Sequence, residues 1–454
     1  MLRHASLPDL DNSRNRFVPI GELKSLLNLQ KIRDQLRIFL DPKSHIDEDV
    51  DRMAECISPP TDNCSRCEND SCTGMRILFV ALVAIEREQL VTQFCTSSST
   101  CDTTWSLHDT TNSLAELAAK EKEIFTQVQW AMRSPIFKNI SSDGKPKVYA
   151  DEVSMPWAML KKDKKASKGQ GSFVHKLKIH ESHHQLASPN ACFALKVLQR
   201  RKVPSYGRKL FNNEVKANQK VSHPHITPLL GAFTHRSDFY LVLPWASGGN
   251  LREFWETHTL SEDLSLWMVE QCYFIADALT TIHGGGSVDR SQGLARQLHA
   301  DIKPENILCF KEGATSCSLK ITDFDRSIPY DPETGLEEKV DQPKTYRPPD
   351  NDGPVGLEWD IWSLGCLYIE FVTWALLGYS GVLNFGEARL KEVDAQDPDS
   401  PYNPVEEDIF FSRQWTPPRG RRLRKIPAKK VMKIKRAVTS VSRTGRSRRN
   451  LLLR

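Results

Sequence analysis

Between His299 and Leu308 the chain reads HADIKPENIL, and seventeen residues after Asn306 it reads DFD from Asp323. Two aspartates, a lysine, an asparagine and a histidine border the apolar, strand-like runs NILCF and LKIT. A charge in such surroundings is costly to bury unless it binds something. A fold that accepts this pattern must therefore gather Asp301, Lys303, Asn306 and Asp323 into one polar site beside an apolar core.

The rest of the chain can supply that core. Of 454 residues, 39% are hydrophobic and 26% charged, ordinary values for a soluble globular protein of two or three domains. The longest apolar run, ILFVALVAI from Ile77 to Ile85, is about half the roughly 20 residues of a membrane span and predicts a buried helix. The N-terminus, MLRHASLPDLDNSRNRF, lacks an apolar signal core and already carries acids, which argues against secretion or organelle import and for cytosol or nucleus. The Asn139 sequon then has no meaning.

Eleven cysteines suit a reducing compartment. Cys56, Cys64, Cys67 and Cys72 cluster around one C-x-x-C pair that could hold an edge of a zinc tetrahedron. The second pair is irregularly spaced, which favours a reduced surface loop. Charge is also uneven: Thr416 to Arg454 holds fifteen Lys and Arg and no acid, so a net +5 leaves −10 on the preceding residues.

Residues 15–135 carry helical periodicity in IGELKSLLNLQKIRDQLRIFL and SLAELAAKEKEIFTQVQWAM. From about Tyr149 short segments rich in Phe, Val, Leu and Ile read as strands broken by turns. After Asn250 helices return: Cys272, Ile275, Ala276, Leu279 and Ile282 share one face, and WDIWSLGCLYIEFVTWALL is apolar nearly all round, as a central buried helix would be. The order predicts an α+β protein with a strand-rich lobe before a helix-rich one. The expected divisions are a mostly helical extension with a Cys-rich loop over 1–148, a small lobe over 149–246, a large lobe over 247–400, and a basic tail over 401–454.

These motifs, in this order, resemble the eukaryotic protein kinase domain of the serine/threonine type over about residues 160–385. The helical extension, with RILFVALVAIERE and VQWAMRSPIF, is also similar to kinase-domain proteins of filamentous fungi. The resemblance implies a bilobal fold, ATP and Mg2+ as cofactors, and protein serine or threonine hydroxyls as acceptors. KGQGSFVHKL resembles the glycine-rich loop, with Gly169 and Gly171 letting backbone amides approach the phosphates and Phe173 capping the site. FALKVL resembles the strand whose lysine, Lys196, holds the α and β phosphates when paired with a helical glutamate, here Glu214. DFYLVLPWASGGNL resembles the hinge: Leu243 borders the adenine, and Pro244 has no N–H to donate, leaving Ala246 as the donor. In HADIKPEN, Asp301 stands as the base, Lys303 neutralises the γ-phosphate and marks the serine/threonine type, and Asn306 with Asp323 holds magnesium. Asp360, opening the central helix, should hold the catalytic-loop backbone.

The chain also departs from the pattern. Val174 replaces the third loop glycine, Ala300 the arginine beside the base, and Asp325 the glycine after Asp-Phe; Pro348, Pro349 and Asp350 stand where Ala-Pro-Glu is usual. GGGSVDRSQGLARQL is an extra loop before His299. After Phe385 the terminal helices are missing, so the large lobe reads as truncated, ending in a disordered basic arm or a drifted reading frame unable to bury a core. An active protein kinase is therefore expected, with a catalytically silent ATP-binding or scaffold protein as the alternative. Nucleic-acid binding through the tail is disfavoured, because no aromatic follows Trp415.

Overall fold

The computed structural model describes residues 6–8, 16–40, 47–59, 64, 67, 72–96, 100–102, 117–139, 145–162, 172–198, 204–259, 262–285, 296–312, 316–331, 345–349, 356–393, 406–416 and 429–440. The chain divides into two compact units, Met1–Gln199 with Leu230–Leu243, and Arg200–Leu229 with Pro244–Arg454.

In the first unit the helix Leu29–Phe39 begins where the Asn28 side chain accepts the Lys31 N–H, and it buries Ile32 and Leu36, one turn apart. The helix Asp47–Ile57 carries three acids in its first turn, where the helix dipole favours them, and buries Val50, Met53, Ala54 and Ile57 on one stripe. Arg76–Ala84 buries every residue from Arg76 to Leu82, as its unbroken apolar sequence predicts. With Phe125 of the helix Ala119–Met132 these faces make one core.

The same unit holds a six-stranded sheet in the order Lys147–Val148, Gly231–His235, Asp238–Pro244, Phe193–Leu198, Ser172–Ile179, Trp157–Lys162. Lys147–Val148 lies parallel to Gly231–His235, whereas Gly231–His235 with Asp238–Pro244, Phe193–Leu198 with Ser172–Ile179, and Ser172–Ile179 with Trp157–Lys162 pair antiparallel. The helical extension is built into this layer rather than set apart at residue 148. Phe137 stacks on Trp157 at 5.5 Å and packs on Phe233 at 5.6 Å. His183 Nε2 accepts the Ile20 N–H at 2.9 Å, while Nδ1 lies 3.1 Å from the Pro135 carbonyl. Residues 200–229, expected in the small lobe, cluster with the second unit.

The second unit packs Leu251, Trp255, Leu279, Ile302, Ile307, Ile321, Phe371 and Trp374 into one core. Its helix Glu262–Ile282 buries Ile275, Leu279 and Ile282, with Cys272 and Ala276 packed beside them. The hairpin Ile307–Glu312 with Ser316–Ile321 sets Ile307 opposite Ile321. The helix Glu358–Lys391, interrupted at Gly378 (φ 70°, ψ −174°), is among the described residues the one long and apolar enough to cross a membrane. Its Leu364, Leu367, Phe371 and Trp374 instead line this core, and the Trp374 indole N–H donates to the Trp255 carbonyl at 3.0 Å.

Two expectations need correction. The tail is not wholly coreless: Phe411–Thr416 pairs antiparallel with Lys429–Ile434, and Phe410, Phe411, Lys435 and Val438 are buried. Lys435 is tolerated there because its ammonium donates to the carbonyls of Arg389 and Glu407. Cys64 and Cys72, expected in a surface loop, are likewise buried.

Candidate active site

The opening motif folds as a strand, a turn and a hairpin. Gln297–Leu298 pairs with Ile328–Pro329, then His299 to Lys303 cross to the short 3-10 turn Pro304–Asn306, which runs directly into the hairpin strand Ile307–Glu312. The fully buried Asp360 carboxylate holds this crossing. One oxygen accepts the His299 N–H at 2.7 Å and the His283 Nε2 at 2.9 Å; the other accepts the Ala300 N–H at 2.9 Å. Ala300 adopts φ 67°, a region that costs a non-glycine residue roughly 1–2 kcal/mol, so Asp360 restrains a bend the chain would not keep by itself.

His299 is fully buried, and its two ring nitrogens are divided between neighbours. Nδ1 accepts the Asp301 N–H at 3.3 Å, so the ring proton lies on Nε2, facing the Thr322 carbonyl at 3.1 Å. Burial pushes its pKa down, against the pull of Asp360, Asp301 and Asp323. The neutral ring thereby ties the catalytic-loop candidate to the strand end that leads to Asp323.

Asp301, Lys303 and Asn306 converge. The Asp301 Oδ2 accepts from the Lys303 ammonium at 2.7 Å and from Asn306 Nδ2 at 2.8 Å, and the same amide nitrogen donates to the Asp301 carbonyl at 2.9 Å. Both hydrogens of the Asn306 amide are thus committed to Asp301, which leaves its carbonyl oxygen as the end available to a ligand. That oxygen and the Asp323 carboxylate are hard donors of the kind Mg2+ takes, so the residues fit the ion. The hairpin register, with the Thr322 N–H donating to the Asn306 carbonyl at 3.0 Å, fixes the backbone of Asn306 beside that of the residue before Asp323. Asp323 itself sits at φ 71°.

The remaining candidates are distributed over both units. Phe173 is partly exposed and stacks on His175 at 6.4 Å, and Val174 lies opposite Lys196 in the sheet. Lys196 is 6% exposed, and Glu214, on the helix Pro204–Gln219, 1%. Leu243 and Ala246 are buried. Gly169, Gly171 and Asp350 lie outside the described residues. His283, Thr322, Glu370 and Arg389 were not singled out from the sequence; a histidine closing a helix just before three glycines was the available signal for the first.

Residues 163–385 match the family model described as the protein kinase domain. The chain is 34% identical over 185 residues to Aurora kinase A-A of Xenopus laevis, covering 39% of this chain and 40% of that protein. It is 31% identical over 169 residues to the serine/threonine-protein kinase chk-2 of Caenorhabditis elegans, covering 35% and 32%. To death-associated protein kinase 2 of Mus musculus it is 30% identical over 164 residues, covering 35% and 40%. The chain therefore spans about a third to two fifths of the length of these curated relatives.

Proposed function

Because this chain carries a protein kinase domain of the serine/threonine type, we propose that it transfers the γ-phosphate of ATP to serine and threonine hydroxyls of proteins in the cytosol or nucleus. The observation that carries this reading is the Asp301 carboxylate, 4% exposed and clamped by Lys303 and Asn306. Its position is fixed by two residues rather than left to a mobile side chain, as a base that must meet a hydroxyl in one geometry requires. Asp301 accepts the hydroxyl proton as the oxygen attacks phosphorus, a role worth about 10²–10⁴ in rate. Lys303, already at Asp301, offers its ammonium to the phosphoryl group in transit. Asn306 and Asp323 would hold Mg2+, which when bound neutralises charge on the phosphates. Lys196 with Glu214, Gly169, Gly171 and Phe173, and Leu243 with Ala246 are assigned to the nucleotide.

One observation favours a second reading, a catalytically silent ATP-binding or scaffold protein. Asp325 stands in place of glycine two residues after Asp323 and is 5% exposed, adding an acid near the proposed metal ligands. Transfer of labelled phosphate from ATP to a generic acceptor protein decides between them. Activity that falls at least a hundredfold in Asp301→Ala supports the kinase reading; equal background in both, with Mg-ATP still bound, supports the second.

A further inference from the structure

The cysteines read as a surface loop do something else. The Sγ atoms of Cys64, Cys67, Cys72 and Cys101 all lie within 4.8 Å of one another. Cys64 is 3% exposed, Cys72 4% and Cys101 0%, with Cys67 partly buried. None of the four is in a disulfide. Buried cysteine often acts as a small apolar filler, but fillers pack among leucines and valines. Here the local cluster consists of cysteines alone. Cys56, the member expected from spacing, sits instead on the helix Asp47–Ile57 against the helical core, and Cys101 takes the fourth place.

We propose that Cys64, Cys67, Cys72 and Cys101 bind one structural zinc ion as a tetrathiolate. A tetrahedral ion with Zn–S near 2.3 Å sets its sulfurs about 3.8 Å apart, inside the observed spread. The chain around the cluster is built to bring its two segments together. The Cys67 N–H donates to the Cys64 carbonyl at 3.3 Å, closing the C-x-x-C turn. After Cys72 the chain bends at Gly74 (φ +75°), where an added Cβ would meet the Pro59 Cδ at 2.4 Å and the Ile57 carbonyl oxygen at 2.7 Å. The Gly74 carbonyl accepts the Asp102 N–H at 2.7 Å, and the Asp102 carboxylate takes the Ile77 and Leu78 N–H groups at 3.0 and 3.1 Å. Cys101 is thereby pinned at the start of the helix Arg76–Ala84, beside the segment that delivers Cys72. The Arg133 guanidinium is within electrostatic reach of Cys72, Cys101 and Asp102, which offsets part of the −2 charge of a zinc tetrathiolate.

Four protein ligands leave no position for water or substrate, so the ion is structural. Binding sends the four thiol protons to solvent. It crosslinks Cys64, Cys67 and Cys72 to Cys101, 29 residues beyond Cys72.

The full chain, purified without chelator, should contain one zinc per molecule by elemental mass spectrometry, released on thiol blocking. Cys101→Ser and Cys72→Ser should lower zinc content at least tenfold, while Cys95→Ser and Cys192→Ser keep it. If a variant does not fold, cobalt substitution of the unaltered chain decides: the ligand-field bands of a tetrahedral tetrathiolate support the site. Metal-free protein with reduced thiols, a disulfide between any two of the four, iron in place of zinc, or undiminished zinc in Cys101→Ser would each overturn the proposal. None of these readouts depends on phosphotransfer.

Discussion

Arg389 donates to Glu370 at 2.9 Å with both side chains 2% exposed, and the guanidinium lies against the rings of Phe385 and Phe410, each 4.2 Å away, which meet edge to face. Asp408 takes its Nε at 2.7 Å. Glu370 also accepts the Tyr346 hydroxyl at 2.7 Å and Arg252 at 3.3 Å. Burial, and then the neighbouring Glu370, pushes the Tyr346 pKa well up, so the phenol stays a donor. The network joins Tyr346 and the helix Glu358–Lys391 to Asp408 and Phe410, which lead into the strand Phe411–Thr416.

Removing Arg389 takes the nearer of two cations from the buried Glu370; breaking a buried pair typically costs about 3–5 kcal/mol, whereas replacing both partners by apolar groups is often neutral. Arg389→Met should therefore lower the denaturation midpoint sharply, and Arg389→Met with Glu370→Leu should recover most of the loss. If the double variant is as unstable as the single one, the cost lies in packing against Phe385 and Phe410, not in the stranded carboxylate.

Nucleotide binding makes a second expectation. A ligand that binds only the folded chain stabilises it by about 2.7 kcal/mol at a hundred times its Kd, so saturating Mg-ATP should raise Tm. Lys196→Met should remove most of the rise, and so should ATP with EDTA. An equal rise in Lys196→Met would take the phosphates away from this lysine.

What the sequence revealed follows range of interaction. Asp301, Lys303 and Asn306 lie within six residues, so their spacing already constrains them to one turn, and the long run from Trp359 could only be a buried helix. Arg389 was invisible as a partner of Glu370 because the interruption at Gly378 decides which face the later turns present. Cys101 lies 29 residues from Cys72, with a helix between them, and no periodicity connects the two. The tail misled through composition: Lys435 counts as a tail charge in the sequence, yet two carbonyls bury it.

His183 predicts how acid loosens the extension. Burial lowers its pKa to about 4 from an ordinary 6.5, and Nε2 can accept the Ile20 N–H only while unprotonated. Below pH 6.5 the unfolded chain binds a proton that the folded chain refuses, so stability falls as pH drops from 6.5 to about 4 and levels off beneath. At 1.36 kcal/mol per pH unit the loss is on the order of 3 kcal/mol. His183→Gln should be less stable at pH 7.5 but show a shallower decline over that window in thermal melts. An unchanged slope would assign the acid sensitivity elsewhere.

Ala300 predicts how the proposed activity is controlled. An arginine beside the base is an uncompensated charge that a phosphorylated activation-segment residue can neutralise. Ala300 carries no charge and is 1% exposed, packed with Leu298 and Trp359, so that requirement is removed. Two of the nearby acceptors are closed off: Ser327 is 3% exposed and Tyr346 7%, neither open to a modifying enzyme. Phosphatase-treated protein should transfer phosphate as fast as untreated protein, and Ser327→Ala with Thr334→Ala should alter the rate less than about threefold, under 1 kcal/mol in the barrier. A hundredfold loss on dephosphorylation would mean that another cation, with Arg326 the nearest in sequence to Asp325, has taken over the arginine's part.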